Sequence, residues 1–335
     1  MRLGLIYQPA NSNSQYRAII PMRALERRGH AVIWPKEPDV VPREFLQCDL
    51  VHCYRHTRID DLRRLSARGV AISFDNDDNL AAAEISPQGN GLDAHRLNKR
   101  LAREMRRVAT LADLTTTTTE PLAESYRAAG ADNVVVIDNH LPSDMFAFGS
   151  KARHEGVVIG WVAAGEHRLD LERIPIVEAL ERLLDTHPQV RVLTVGVRLP
   201  LDSPRYEHIA SVPFEDLLPI VSRMDIGIAP LVDTAFNRSR SNVKLKEYSS
   251  GVTTWLASPV GPYHGLGEKQ GGALVGDGDW FVAIDELIRN PRKRKRLAKA
   301  VLKWAKAETI EHYAADWESE FLQASCPAHI GCERG

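Results

Sequence analysis

The sequence predicts an α/β protein built from two tandem doubly wound, Rossmann-like domains facing a cleft. Three observations predict it. Short β-branched or aromatic runs alternate with helix-period segments through both halves of the chain, the pattern of parallel sheets covered by helices on both faces. A polar stretch with no periodicity interrupts that alternation near the middle. The 335 residues also exceed what one hydrophobic core usually serves.

In the first half, "RLGLIY" is the opening strand, followed by the polar loop "QPANSNSQ" and a helix from about Tyr16 to Arg28 that stops at Gly29. "HAVIW", "DLVHCY" and "VAISF" read as further strands, with a helix over "RIDDLRRLSARG" before the last. A long helix near Leu92 to Leu111, the strand "DLTTTTT", a helix from Pro121 to Ala129 and the strand "NVVVID" complete the domain. Five successive threonines suit a strand because threonine is β-branched. Residues 139–156 carry Pro, Gly and mixed charge, and read as the linker.

The second series runs "VVIGWV", a helix from about Asp170 to Thr186, "VRVLTVG", a short segment near Ile209, a helix over "FEDLLPIVSR", and "IGIAPL". A helix inside "SRSNVKLKEYSSG", the strands "TTWLAS" and "GALV", and further helices follow. The expected boundaries are 1–145 for the first domain, 156–307 for the second, 308–325 for a last helix, and 326–335 for a tail.

The net charge of −1 gives no global case for nucleic-acid binding, which needs a basic excess or a concentrated basic face. No apolar run approaches the ~18 residues of a spanning helix, and "MRLGLIYQP" is too short for a signal peptide, so a cytoplasmic chain is expected. Four cysteines are too few and too uneven for a disulfide framework. Cys326, His329 and Cys332 lack a second ligand pair, and a frayed tail is preferred there over a zinc site.

Sites in doubly wound sheets form at the carboxyl ends of strands. The first such loop, "QPANSNSQYR", has no glycine, so a dinucleotide fingerprint is missing, and no G-x-x-x-x-G-K-[ST] occurs. "SRSNVKLKEYSSG", residues 239–251, instead sets Arg240, Lys244 and Lys246 where a helix begins, with Glu247 behind them. Unpaired N–H groups already make a helix start positive, so cations there call for an anion. Ser241 is the expected N-cap and Gly251 the stop. Lys244 and Glu247, three apart, share a face; a solvated surface pair is the alternative.

The segments "VIGWVAAGEHRLDL", "MDIGIAPLVDTAFNRSRSNVKLKEYSSGVTTWLASPVGPY" and "DWFVAIDELIRNPRKRKRLAKAV" resemble, in order and spacing, the donor-binding half of retaining glycosyltransferases of the GT-B fold, most like family 4. "NSQYRAIIPMRALERRGHAV" and "LADLTTTTTEPLAESYRAAGADNVVVIDN" resemble the acceptor half. The likeness spans about residues 1 to 325. It implies a transferase that moves a sugar from a nucleotide-diphosphate sugar to an acceptor with retention, needing neither cofactor nor metal. It also implies that Glu247 takes the ribose hydroxyls, that Lys244, or Arg238 and Arg240 before it, meets the diphosphate, and that Ser241 and the Gly165, His167 and Arg168 of "GWVAAGEHRLDL" belong to the same donor site. The same resemblance implies that the last helix, 308–325, crosses back to the first domain. One departure stands out: the first acid of the family's E-x7-E pair falls at Ser239.

In the first domain "FDNDDNL" places Asp75, Asp77 and Asp78 after a strand. The resemblance, which extends to an acidic D-x-D-D element at about this place, implies that Asp77 and Asp78 are catalytic, orienting an acceptor hydroxyl or accepting its proton; a helix-capping turn and a metal-binding D-x-D built on Asp75 and Asp77 are the alternatives. The resemblance also implies that Asn13, Ser14, Gln15 and Arg17 approach the acceptor or the sugar diphosphate, Arg17 foremost, while His52, His56 and His95 are left without a catalytic role. The helix 291–307 carries eight cations around the apolar stripe Leu297, Val301 and Trp304, and reads as a solvated face or a peripheral membrane contact. A non-catalytic module that binds a nucleotide or glycan is the rival to the enzyme.

Overall fold

A computed structural model describes residues 1–8, 13–37, 40–83, 92–146 and 154–326. The chain divides into two units, one of residues 1–81, 99–140 and 310–335, the other of 82–98 and 141–309. In order, the elements begin β1 (Arg2–Ile6), α1 (Ile20–Arg27), β2 (Ala31–Ile33), β3 (Leu50–Tyr54), α2 (Ile59–Ser66), β4 (Ala71–Asp75), α3 (Leu92–Ala109), β5 (Leu114–Thr117), α4 (Glu120–Arg127) and β6 (Val134–Val136). They continue β7 (Val157–Ala163), α5 (Arg168–Arg173), α6 (Ile176–Thr186), β8 (Val190–Gly196), β9 (Tyr206–Ile209), α7 (Phe214–Val221), β10 (Ile226–Ala229), α8 (Ala235–Arg238) and α9 (Val243–Ser250). Last come β11 (Thr254–Ala257), β12 (Gly272–Leu274), α10 (Trp280–Arg289), α11 (Pro291–Ala307) and α12 (Ile310–Ser325).

Two parallel six-stranded sheets result, ordered β2-β1-β3-β4-β5-β6 and β12-β11-β10-β7-β8-β9. Central strands are buried along their whole length: every residue of β3, β5, β10 and β11 is inaccessible, as expected of strands covered on both faces. The threonine run is such a strand, and Thr116 Oγ1 donates to Asp75 across the sheet at 2.5 Å. No helix among the described residues is long and apolar enough to cross a membrane.

Three helices differ from expectation. The one expected from Tyr16 begins as a π-helical turn, Gln15–Ile19, before α1. The helix expected from Asp170 to Thr186 splits into α5 and α6, because Ile174 turns extended (φ −103°, ψ 130°) ahead of Pro175, which disfavours a helical predecessor. Helix α9 starts later than expected: its N-cap is Asn242, not Ser241.

Arg17 is also corrected. It is fully buried, its guanidinium bonded to Asp75 at 2.7 Å, to the Ile137 carbonyl at 2.6 Å and to Asn139 at 3.0 Å, and it lies over the Trp317 ring at 5.0 Å. It ties three strand ends and α12 together and offers nothing to a ligand. Ser14 is likewise buried, donating to the Gln8 carbonyl at 2.5 Å, while Asn13 is partly exposed. His52 bridges Ser73 and the Arg17 carbonyl, and burial pushes its ring pKa down, so it stays neutral. Helix α12 seats Trp317 and Phe321 against His52, and Glu318 pairs with Arg28 and His30 of the same unit.

Cys48 and Cys53 are free and buried; Cys326 is free and exposed, while His329 and Cys332 lie outside the described residues. On α11, Lys293 pairs with Glu286, Arg296 with Glu268, and Arg294 donates to the Leu287 and Ile288 carbonyls. Arg292, Lys295, Lys299 and Lys303 are exposed at spacings of three and four, forming one stripe.

Removing Arg17 strands the Asp75 carboxylate in the core. Arg17→Ala is expected to cost about 3–5 kcal/mol of stability, measured by urea unfolding, a loss that Asp75→Asn in the same chain partly restores.

Candidate functional site

In the second unit the site is built where β7 and β10 end. Tyr248, on the buried face of α9, donates its hydroxyl to the Ile228 carbonyl at 2.7 Å and accepts from the Val162 N–H at 3.2 Å. This phenol reaches the sheet because Gly227 lacks a side chain: a Cβ there would fall 2.6 Å from the Tyr248 ring. At the far end Gly251 serves close approach too, since its φ is −86° and a Cβ would meet Val221 and Ser222 at under 3 Å. So pinned, α9 presents Lys244 and Glu247 from its opening turns, with Lys244 Nζ 3.7 Å from Glu247 Oε2 and both largely buried. Burial pushes the Lys244 ammonium pKa down against the opposing pull of Glu247.

The loop after β7 makes a 3₁₀ turn, Gly165–His167, running directly into α5. His167 is buried, with Nδ1 2.8 Å from Asp170 Oδ2. The other Asp170 oxygen accepts from the Val232 N–H at 2.8 Å and the Asn237 amide at 2.9 Å. Asp170 therefore fastens the loop after β7 to the loop after β10. Glu166, beside His167, accepts from Arg240 Nη2 at 3.1 Å. Although burial opposes it, the charge of Arg240, helped by His167 and Lys244, holds the Glu166 carboxyl at about 2.

Of the residues singled out in the sequence, the structure gathers Gly165, His167, Arg240, Lys244 and Glu247, joined by Glu166. Others point elsewhere. Arg168 is exposed and paired with Glu172 at 3.1 Å. Arg238 is exposed and forked onto Asp233 at 2.6 and 2.8 Å. Lys246 is buried against Glu308 at 2.9 Å. Ser241 is partly exposed ahead of the cap. Ser239 is buried and donates to the Ala235 carbonyl, so it brings no charge where a carboxylate was expected. Sequence reasoning missed Glu166, Asp170 and Asn237. The i,i+3 spacing of His167 and Asp170 was a local signal; the partners of Glu166 and Asn237 lie about 70 residues away.

In the first unit Asp77 and Asp78 sit at the end of β4, held by a residue the sequence did not flag. Arg55 Nη2 donates to Asp77 at 2.6 Å and also to Asp78, and the Tyr54 hydroxyl donates to Asp77 at 2.8 Å. Arg55 has φ +53°, a left-handed conformation costly for a side chain of this size, which concentrates at functional ends of folds. Burial pushes the Asp77 carboxyl pKa up against the pull of Arg55. The alternative metal site on Asp75 and Asp77 loses its first ligand, because Asp75 is fully buried and committed to Arg17.

The sequence matches no protein-family model and no curated protein. Solved structures do resemble it. HepE from Anabaena, determined with UDP-glucose, is 15% identical with a TM-score of 0.64 over 95% of this chain and 99% of its own. The sucrose-phosphate synthase of Thermosynechococcus elongatus is 16% identical, TM-score 0.63, over 96% and 98%. The α,α-trehalose 6-phosphate synthase of Burkholderia multivorans is 13% identical, TM-score 0.62, over 100% and 98%. These are GT-B glycosyltransferases, and the chain has their fold.

The low Glu166 value has a consequence for stability. Because the folded pKa is depressed, the ion pair contributes fully above the unfolded carboxyl value and is lost as pH falls through about 2. Wild-type stability is expected to fall between those limits by up to roughly 1.4 kcal/mol per pH unit more than that of Glu166→Gln, measured by chemical denaturation across acid pH.

Proposed function

We propose that the chain is a nucleotide-sugar-dependent glycosyltransferase that moves a sugar to an acceptor hydroxyl with retention at the anomeric carbon and without a bound metal. One observation carries the reading: Lys244 and Glu247 stand together at the opening turns of a pinned, buried helix, beside Arg240. An acceptor-only carboxylate such as Glu247 suits the two hydroxyls of a ribose. Ammonium and guanidinium groups suit a diphosphate and gain strength as charge builds on that leaving group. HepE, similar over nearly the whole chain, was determined with UDP-glucose, which supports a donor of this class. In the first unit Asp77, with its raised pKa, is assigned to the acceptor hydroxyl, and Asp78 to holding Arg55 beside it.

A non-catalytic nucleotide- or glycan-binding module is the second reading. It is favoured by Ser239, which brings no carboxylate, and by the acidic partners already present on Arg240 and Lys244. Sugar transfer or slow donor hydrolysis separates the two.

Lys244→Ala and Glu247→Ala are each expected to weaken binding of the preferred nucleoside diphosphate at least about tenfold by titration calorimetry, in proteins that circular dichroism shows to be folded. Equal affinity in both variants removes the donor-site assignment. Turnover is expected to survive EDTA, and proton NMR of the fresh product to show the donor's anomeric configuration. We also assign the stripe Arg292, Lys295, Lys299 and Lys303 to contact with an anionic lipid surface, tested by cosedimentation with phosphatidylserine vesicles at low and high salt.

A further inference from the structure

We infer that Glu166 is an internal counter-ion exchanged on donor binding: the diphosphate replaces it on Arg240, and the displaced carboxylate turns to the open ring nitrogen of His167. The inference rests on the donor-site reading above and adds a residue that reading does not use.

Three pieces of geometry carry it. Glu166 Oε1 lies between two nitrogens, 3.1 Å from Arg240 Nη2 and 4.0 Å from His167 Nε2. Only the first is a hydrogen bond. His167 Nε2 is buried and has no hydrogen-bond partner, while Nδ1 is fixed by Asp170, so the ring cannot turn to find one. An unsatisfied buried nitrogen of this kind costs free energy until something meets it. Finally, Glu166 rides on a short turn whose Ala164 and Gly165 are exposed, while its neighbour His167 is anchored. The exchange therefore asks only that Oε1 close the 4.0 Å gap to Nε2, a side-chain rotation with the sheet left in place.

A cation intended for a diphosphate but left bare in a half-buried pocket would be costly, and the Glu166 carboxylate neutralises it meanwhile. The charged and titratable groups around His167 are Glu166, Asp170 and Arg240, with Lys244, Glu247 and Tyr263 beyond them. In the resting site burial, and then Arg240, push the His167 pKa down, so the ring is neutral. Once the diphosphate screens Arg240 and Glu166 reaches Nε2, the ring gains an acceptor that favours its charged form. The ring takes its proton from solvent, to Nε2, and no covalent bond changes. Donor affinity should consequently weaken as pH is raised across the histidine range.

The test is titration calorimetry with UDP, ADP and GDP in turn at pH 8, where the free nucleotides are fully ionised, in two buffers of different ionisation enthalpy. The wild type should take up a fraction of a proton, at most about one, per nucleotide bound. Glu166→Gln should bind about tenfold more tightly, since a neutral amide competes less well for Arg240, with no uptake. Nucleotide bound equally by both proteins, or bound by the wild type with no proton exchanged, overturns the exchange while leaving the donor site intact. Should neither protein bind any of the three, the donor site itself falls. The wild-type proton count stands independently of whether the variant folds.

Discussion

The seating of α9 is the constraint on which the second unit depends. One phenol, Tyr248, bonds the backbone of two neighbouring strands, and a glycine on β10 leaves room for its ring. Without that close approach the helix would stand off the sheet, and the charged turn ahead of it would lie in bulk solvent. There a Lys–Glu pair is worth at most about 1 kcal/mol and selects no ligand. Pressed against the strand ends, the same two residues acquire a fixed geometry and a lower dielectric, which makes an anion or a pair of hydroxyls worth binding. The Asp170 hub does the matching work on the other wall by joining the loops after β7 and β10.

Electrostatically, the site is less open than its sequence suggests. A cluster of cations at a helix start reads as potential awaiting an anion. In the folded chain Arg240 has Glu166, Lys244 has Glu247, Arg238 has Asp233 and Arg168 has Glu172. Two of these pairs are exposed and carry little energy. The other two are largely buried, and they decide whether the pocket is a binding site at rest or a filled structural cluster. A charge-neutral resting pocket is compatible with ligand exchange when one partner has a second group within reach, and His167 Nε2 lies 4.0 Å from Glu166 Oε1.

Most of the fold was legible in the sequence because its signals are local. Buried parallel strands must be short, apolar and β-branched, and helices that cover them must be amphipathic, so strand and helix order could be read directly. The threonine run and the Gly251 stop belong to that class, although Gly251 turned out to serve close packing and not a left-handed cap. The Lys244–Glu247 pair was legible for the same reason, being one helical turn apart. Arg17 was not: a cation in a polar loop looks solvent-facing, and only the adjacency of strands far apart in sequence brings Asp75, Ile137 and Asn139 around it. Arg55 was hidden by backbone, since nothing in "HCYRH" announces a left-handed arginine. Glu166 and Arg240, 74 positions apart, could be joined only by the fold.

The central claim is that the carboxyl end of the second sheet receives a nucleoside diphosphate. Its most direct measurement is a crystal structure of the protein soaked with UDP-glucose and other nucleotide sugars. The result predicted is a diphosphate on Arg240 and Lys244, a ribose on Glu247, and the Glu166 side chain turned toward His167. A pocket that stays empty at saturating donor, with Glu166 still on Arg240, would contradict it.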